Sequence, residues 1–217
     1  MPSMLIRLFL LFFLSAPVYA FDVLQDILPI QKQWAQIKYQ LNEDDQPAAY
    51  ERLIENTNAL IQRYPDRAEP KVWAAIVYSS YAGAVGGIKS ITSALPAVKK
   101  AHNLLQNAQT IDDQTLDGSV FTSLGALYYQ VPGWPIGFGD KKKAARYLEK
   151  AIRISKNGLD ANYFYGDYLV NRKRYKEAIP VLERALTAPP IENRPVADQG
   201  RRHEITQLLE YAKNKLS

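Results

Sequence analysis

Three short segments of this chain share one spacing. AHNLLQNA places Ala101, Leu105 and Ala108; AARYLEKA places Ala144, Leu148 and Ala151; AIPVLERA places Ala178, Leu182 and Ala185. In each, the leucine follows the first alanine by four residues and the second alanine follows the leucine by three. On a helix these three side chains share one face. The alanines let a neighbouring helix come close, and the leucine fills the gap between them. One such match is common by chance. Three in order predict equivalent helices packed by the same stripe, and therefore an internal repeat.

Apolar residues recur at helical spacing almost throughout, and no run alternates as a strand does. The pattern predicts helices near 22–40, 46–63, 69–82, 94–109, 118–130, 140–155, 160–171, 175–187 and 195–215. Pro65, Pro70, the Gly83–Gly87 stretch, Pro132–Gly139, Gly158, Pro189 and Pro190 punctuate the joins. Each alanine–leucine helix follows another helix with its own signature. NYFYGDYL supplies Tyr165, Gly166 and Leu169; FTSLGALY supplies Phe121, Leu124, Gly125 and Tyr128; VWAAIVY supplies Ala74, Ala75 and Tyr78.

A bulky residue, Leu, Gly and Tyr in one helix, followed by Ala, Leu and Ala in the next, resembles the tetratricopeptide repeat (TPR). The likeness is fullest over Leu159–Glu192, where Gly166, Ala178, Leu182, Ala185 and Pro190 fall in the family's places. Gly166 to Ala178 is twelve residues, as in the family, whereas Gly125 to Ala144 is 19 and Ala75 to Ala101 is 26. The extra residues predict insertions within VPGWPIGFGD and AGAVGGIKSITSAL. The resemblance implies an all-α, TPR-like α-solenoid of antiparallel helix pairs, with loop insertions in the first two repeats and a C-terminal capping helix. Its expected parts are an N-terminal hairpin at 21–67, three units at 68–192 and the cap at 193–217. Stacked units bury faces that no single unit can bury alone, and they form a concave groove.

Residues 1–20 read as an export signal: a short front with Arg7, an apolar run from Leu8 to Ala16, and the small residues Val18 and Ala20 before Phe21. The apolar run is far short of the ~20 residues that span a bilayer. The expected localisation is periplasmic or secreted, with no transmembrane span in the mature chain. The sequence contains no cysteine, which excludes thiolate catalysis, zinc–thiolate sites and a lipid-anchoring cysteine after the signal. Residues 21–140 carry 9 Lys+Arg against 13 Asp+Glu, whereas 141–217 carry 17 against 9. The basic half suits acidic proteins or anionic headgroups; an exported chain is not expected to meet nucleic acid.

Catalytic and metal motifs are missing. His102 and His203 lie in separate helices, without the paired spacing of a zinc site. GGIKS, residues 86–90, is a broken phosphate-loop pattern with no strand before it. Ser119 and Ser123 lack a nucleophile elbow. Asp112, Asp113 and Asp117 read as helix-start residues. No enzyme activity and no cofactor are expected.

The resemblance places the first helix of each unit on the concave side. That side then carries Val72, Ile76, Ser79 and Ser80, then Thr122, Ala126, Tyr129 and Gln130, then Tyr163, Asp167 and Asn171. No cation appears among them, unlike repeats that clamp a carboxylate tail. Trp134 and Phe138, held by prolines and glycines in the inserted loop, fill either the core or the groove mouth. The expected partner is another protein or peptide, bound without catalysis by a periplasmic scaffold or adaptor. The alternative is a small hydrophobic or amphipathic ligand. In architecture the chain is also similar to the T component of tripartite periplasmic (TRAP) transporters, a helical-repeat protein with an apolar internal passage. The lipid-anchoring cysteine common there has no counterpart in this chain.

Overall fold

The computed structural model describes residues 18–85 and 90–216, with only the backbone of 18–22, 90 and 91. Among these residues are nine α-helices and no strand. They are α1 (Val18–Gln40), α2 (Gln46–Arg63), α3 (Glu69–Ala84), α4 (Leu95–Ile111), α5 (Thr115–Gln130), α6 (Lys141–Ile154), α7 (Leu159–Asn171), α8 (Tyr175–Leu186) and α9 (Pro195–Asn214). The expected signal, 1–20, lies outside the description except for its last three residues, which begin α1. GGIKS lies outside it except for the backbone of Ser90.

Local chemistry sets the helix ends. α2, α3, α4 and α9 each carry proline in the first turn, where the missing N–H has no intrahelical partner to lose. Asp140 caps α6: its Oδ1 accepts from the N–H of Lys142 at 2.9 Å and of Lys143 at 3.0 Å. α5 opens differently. Leu116, Asp117 and Gly118 have φ of 49°, 54° and 73°, so the regular helix starts only after Gly118. Two side-chain-bearing residues in left-handed geometry cost roughly 1–2 kcal/mol each.

The three stripes converge on the repeat interior. Ala101, Leu105, Ala108, Ala144, Leu148, Ala151, Ala178, Leu182 and Ala185 are all fully buried. Glycine explains how closely the paired helices approach. A Cβ on Gly125 would stand 2.5 Å from Leu148 Cγ, and one on Gly166 would stand 2.4 Å from Leu182 Cδ2. The first unit has Ala75 in that place, fully buried in the same core. A second apolar cluster joins α1, α2 and α3 through Val23, Ile27, Trp34, Tyr50, Leu53 and Trp73.

The helices form two layers. The odd-numbered helices make the inner one, in which α1 packs on α3, α3 on α5, α5 on α7 and α7 on α9. Outside it, α2, α4, α6 and α8 each pack on the two inner helices flanking them in sequence. The inner layer does not end at α9, because α9 also packs on α1. The expected concave groove is therefore the inside of a ring of five inner helices.

Gly200 lets the two ends meet, since a Cβ there would lie 2.5 Å from the Tyr39 ring. Glu204 ties them: Lys38 Nζ lies 3.0 Å from its Oε1, and the Tyr39 hydroxyl donates to its Oε2 at 3.2 Å. Arg201 donates to both Glu204 and Asp160. Within the last helix Arg201 is buried, and Arg202 donates to the carbonyls of Leu186 and Ala188.

Candidate functional site

The ring surrounds a partly open lumen of about 940 Å³. Inner helices supply most of its wall: Leu28, Gln31 and Trp34 from α1, Ile76, Ser79 and Ser80 from α3, Thr122, Ser123 and Gln130 from α5, Tyr163 and Phe164 from α7, and Arg194 and Arg201 at the start of α9 and within it. Amides and hydroxyls alternate with aromatic and aliphatic side chains, so the wall can satisfy polar groups while covering apolar surface. The left-handed turn brings Leu116 and Asp117 to the same wall.

The polar wall is fixed by local bonds. Trp34 Nε1 donates to Ser80 Oγ at 2.8 Å, and Ser80 donates in turn to the Ile76 carbonyl at 2.9 Å. Trp34 meets Trp73 edge-on at 6.0 Å, and the Arg194 guanidinium lies 5.6 Å from the Trp73 ring. The Arg201 guanidinium sits 4.2 Å from the Tyr163 ring and 4.9 Å from that of Phe164. Burial works against the Arg201 charge, yet Asp160, Tyr39, Glu204 and Tyr163 hold its pKa above the ordinary arginine value. Burial pushes the Tyr50 hydroxyl up to about 12, and it raises Tyr163 as well. These phenols are neutral hydrogen-bonding groups at physiological pH. No group of three or more His, Cys, Asp or Glu among the described residues is placed to hold a metal ion.

Of the residues singled out from sequence, Ile76 and Tyr163 line the lumen, as do Ser79, Ser80, Thr122, Ala126 and Gln130. Val72 does not; it is fully buried in the repeat core. Tyr129 and Asp167 face each other in the seam between the second and third units, where the Tyr129 hydroxyl donates to Asp167 Oδ2 at 2.5 Å. Burial raises the pKa of both. Asn171 is exposed at the end of α7.

Trp134 is 90% exposed, so it neither fills the core nor lines the lumen. Phe138 packs on His102 at 4.6 Å and Tyr128 at 5.8 Å between ring centroids, on the outer side of α5. His102 is half-buried there and within hydrogen-bond distance, 2.9 Å, of the Tyr128 hydroxyl. Its pKa is lowered, chiefly by burial. The groove register followed from the helical period. The contributions of α1 and α9 had no such signal, because they depend on the ring closing.

Two comparisons define the class. Residues 159–191 match the family model of the tetratricopeptide repeat. The crystal structure of a thermophilic TPR protein from Thermus thermophilus is similar, with a TM-score of 0.56 and 14% sequence identity, covering 86% of this chain and 98% of that one. No curated protein matches the sequence. The chain thus carries a tetratricopeptide repeat at 159–191, and its fold is that of a tetratricopeptide-repeat protein, a fold that suggests protein partners. Among the described residues no helix is long and apolar enough to cross a membrane.

Proposed function

We propose that this is a non-catalytic, exported scaffold or adaptor that holds a segment of a partner protein in the ring lumen. The observation that carries this reading is the makeup of the wall, with Gln31, Gln130, Ser79 and Ser123 set among Trp34, Ile76 and Phe164. Neutral amides and hydroxyls suit the donors and acceptors of a peptide backbone, and the apolar residues between them suit its side chains. The test is a photo-crosslinking residue at Ser123, introduced in cells. Capture of a partner at Ser123 that disappears on Ile76→Arg supports the reading. Equal capture with and without Ile76→Arg overturns it.

A second reading is favoured by closure of the ring. The partly open lumen of about 940 Å³ lies within the range of small-ligand sites. A small amphipathic ligand would fit it, as in the transporter-associated helical-repeat proteins this chain resembles. Native mass spectrometry of the purified protein separates the two readings: a small molecule retained by the wild type and lost on Ile76→Arg favours the second. The periplasmic location rests on the sequence of residues 1–20 and is tested by fractionation and N-terminal sequencing, with Phe21 as the expected first residue.

A further inference from the structure

The inserted loop between α5 and α6 faces away from the lumen, and its two most prominent side chains are apolar. Trp134 is 90% exposed and Ile136 63% exposed, well above every other exposed large hydrophobic among the described residues. The loop holding them is well tethered. Gly137 N–H and Ile136 N–H donate to the Gly133 carbonyl at 3.1 and 3.2 Å, Gly139 N–H to Pro132 O at 2.9 Å, and Asp140 N–H to Tyr128 O at 2.8 Å. Phe138 anchors its base against His102 and Tyr128. The chain therefore holds two apolar side chains in water on a braced support, and nothing within the described fold covers them.

The surroundings are basic. Lys141, Lys142, Lys143 and Arg146 follow directly and are exposed. The turn after α7 comes to the same place. Tyr168 donates its hydroxyl to the Lys141 carbonyl at 3.1 Å, and Arg172 N–H bonds back to Tyr168 O at 3.0 Å. The exposed Arg172 and Lys173 follow Tyr168 by about one helical turn and so extend the basic surface from α7. Of the carboxylates nearby, Asp140 caps α6, Asp167 is bonded by Tyr129, and Glu177 pairs with Arg174, while Glu149 is exposed farther along α6.

We propose that this tip is a peripheral docking site for an anionic lipid surface, with Trp134 and Ile136 entering the headgroup boundary and the surrounding lysines and arginines meeting lipid phosphates. Charge complementarity selects this occupant. A tryptophan beside an aliphatic residue is suited to the interface, where an apolar ring body and its polar N–H each find a matching layer. The ring of cations adds attraction to anionic headgroups. A protein partner would need a broad complementary face around the tryptophan, whereas this tip exposes only two large apolar side chains, with Pro132 and Pro135 beside them.

The test uses the full chain and vesicles of phosphatidylcholine, alone or with about 30% phosphatidylglycerol. The expected result is stronger partition into the anionic vesicles, reduced roughly tenfold by Trp134→Ser with Ile136→Ser and also by Lys141→Gln with Lys142→Gln. All four side chains are exposed, so these variants should keep the wild-type circular dichroism and melting temperature. Brominated lipids should quench the part of the emission that Trp134→Tyr removes. Any partition contributed by residues 1–20 is common to wild type and variants. Equal partition of all variants, or Trp134 emission untouched by bromine, would overturn the proposal. So would vesicles left unbound by a tip that cross-links in cells to a protein.

Discussion

Asp167 shows how far a single residue's surroundings can be read from its neighbours in sequence. Its place on the inner helix follows from the period of α7, but its burial against Tyr129 depends on how two units stack. Burial raises its carboxyl pKa, opposed by the Tyr129 hydrogen bond and by Arg201. A folded-state pKa above the unfolded one means that the folded protein favours the protonated acid. The resulting penalty is absent below the ordinary aspartate pKa of about 3.9 and grows as pH rises through the folded value. Asp167→Asn keeps an acceptor for the Tyr129 hydroxyl and removes the charge. Its stability relative to wild type should therefore climb between about pH 3 and pH 7, measured by urea unfolding at several pH values. A difference that stays flat with pH would show that the carboxylate is not disfavoured. The loop glycines teach a related lesson. From sequence they suggest positive φ, but Gly118 is the glycine with positive φ among the described residues. Gly139 is needed because a Cβ there would lie 1.9 Å from the Val131 carbonyl oxygen.

At the scale of the element, the helices were legible because their stripes are periodic. The alanine–leucine triplets and Gly125, about one and a half turns before the end of α5, needed no tertiary knowledge to place. What resisted reading were the α5 entrance, where Leu116 and Asp117 take conformations disfavoured for side-chain-bearing residues, and the clamp at the start of α7. There the buried Asn162 donates to the carbonyls of Lys156 and Gly158 and accepts from Arg184. Two of these bonds go to the preceding turn, but the third comes from α8 and leaves no local pattern. The seam itself makes a quantitative prediction. Gly166→Ala forces a methyl into Leu182 and should cost roughly 1–3 kcal/mol in denaturant unfolding. Leu182→Ala in the same chain should recover part of that cost, giving a coupling a double-mutant cycle can read. Additive effects would place the two side chains out of contact.

For the whole molecule, the stacked architecture was legible and the closure was not. Contact between α1 and α9 joins residues more than 150 apart, Tyr39 with Gly200, and no periodicity announces it. The absence of cysteine makes closure measurable, since Gln33→Cys and Gln207→Cys accept spin labels without background. Gly200→Val should drive the Tyr39 ring away and broaden or lengthen the label distance, while the α7–α8 pair keeps its helicity. An unchanged distance distribution would mean that the ends are held by something other than that close approach. Closure also changes how such a protein comes apart. An open stack of repeats has two free ends from which it can fray, one unit at a time. Here the Glu204 clasp leaves no terminal unit with a bare flank, so melting should be a single concerted event in which every unit loses its neighbours together.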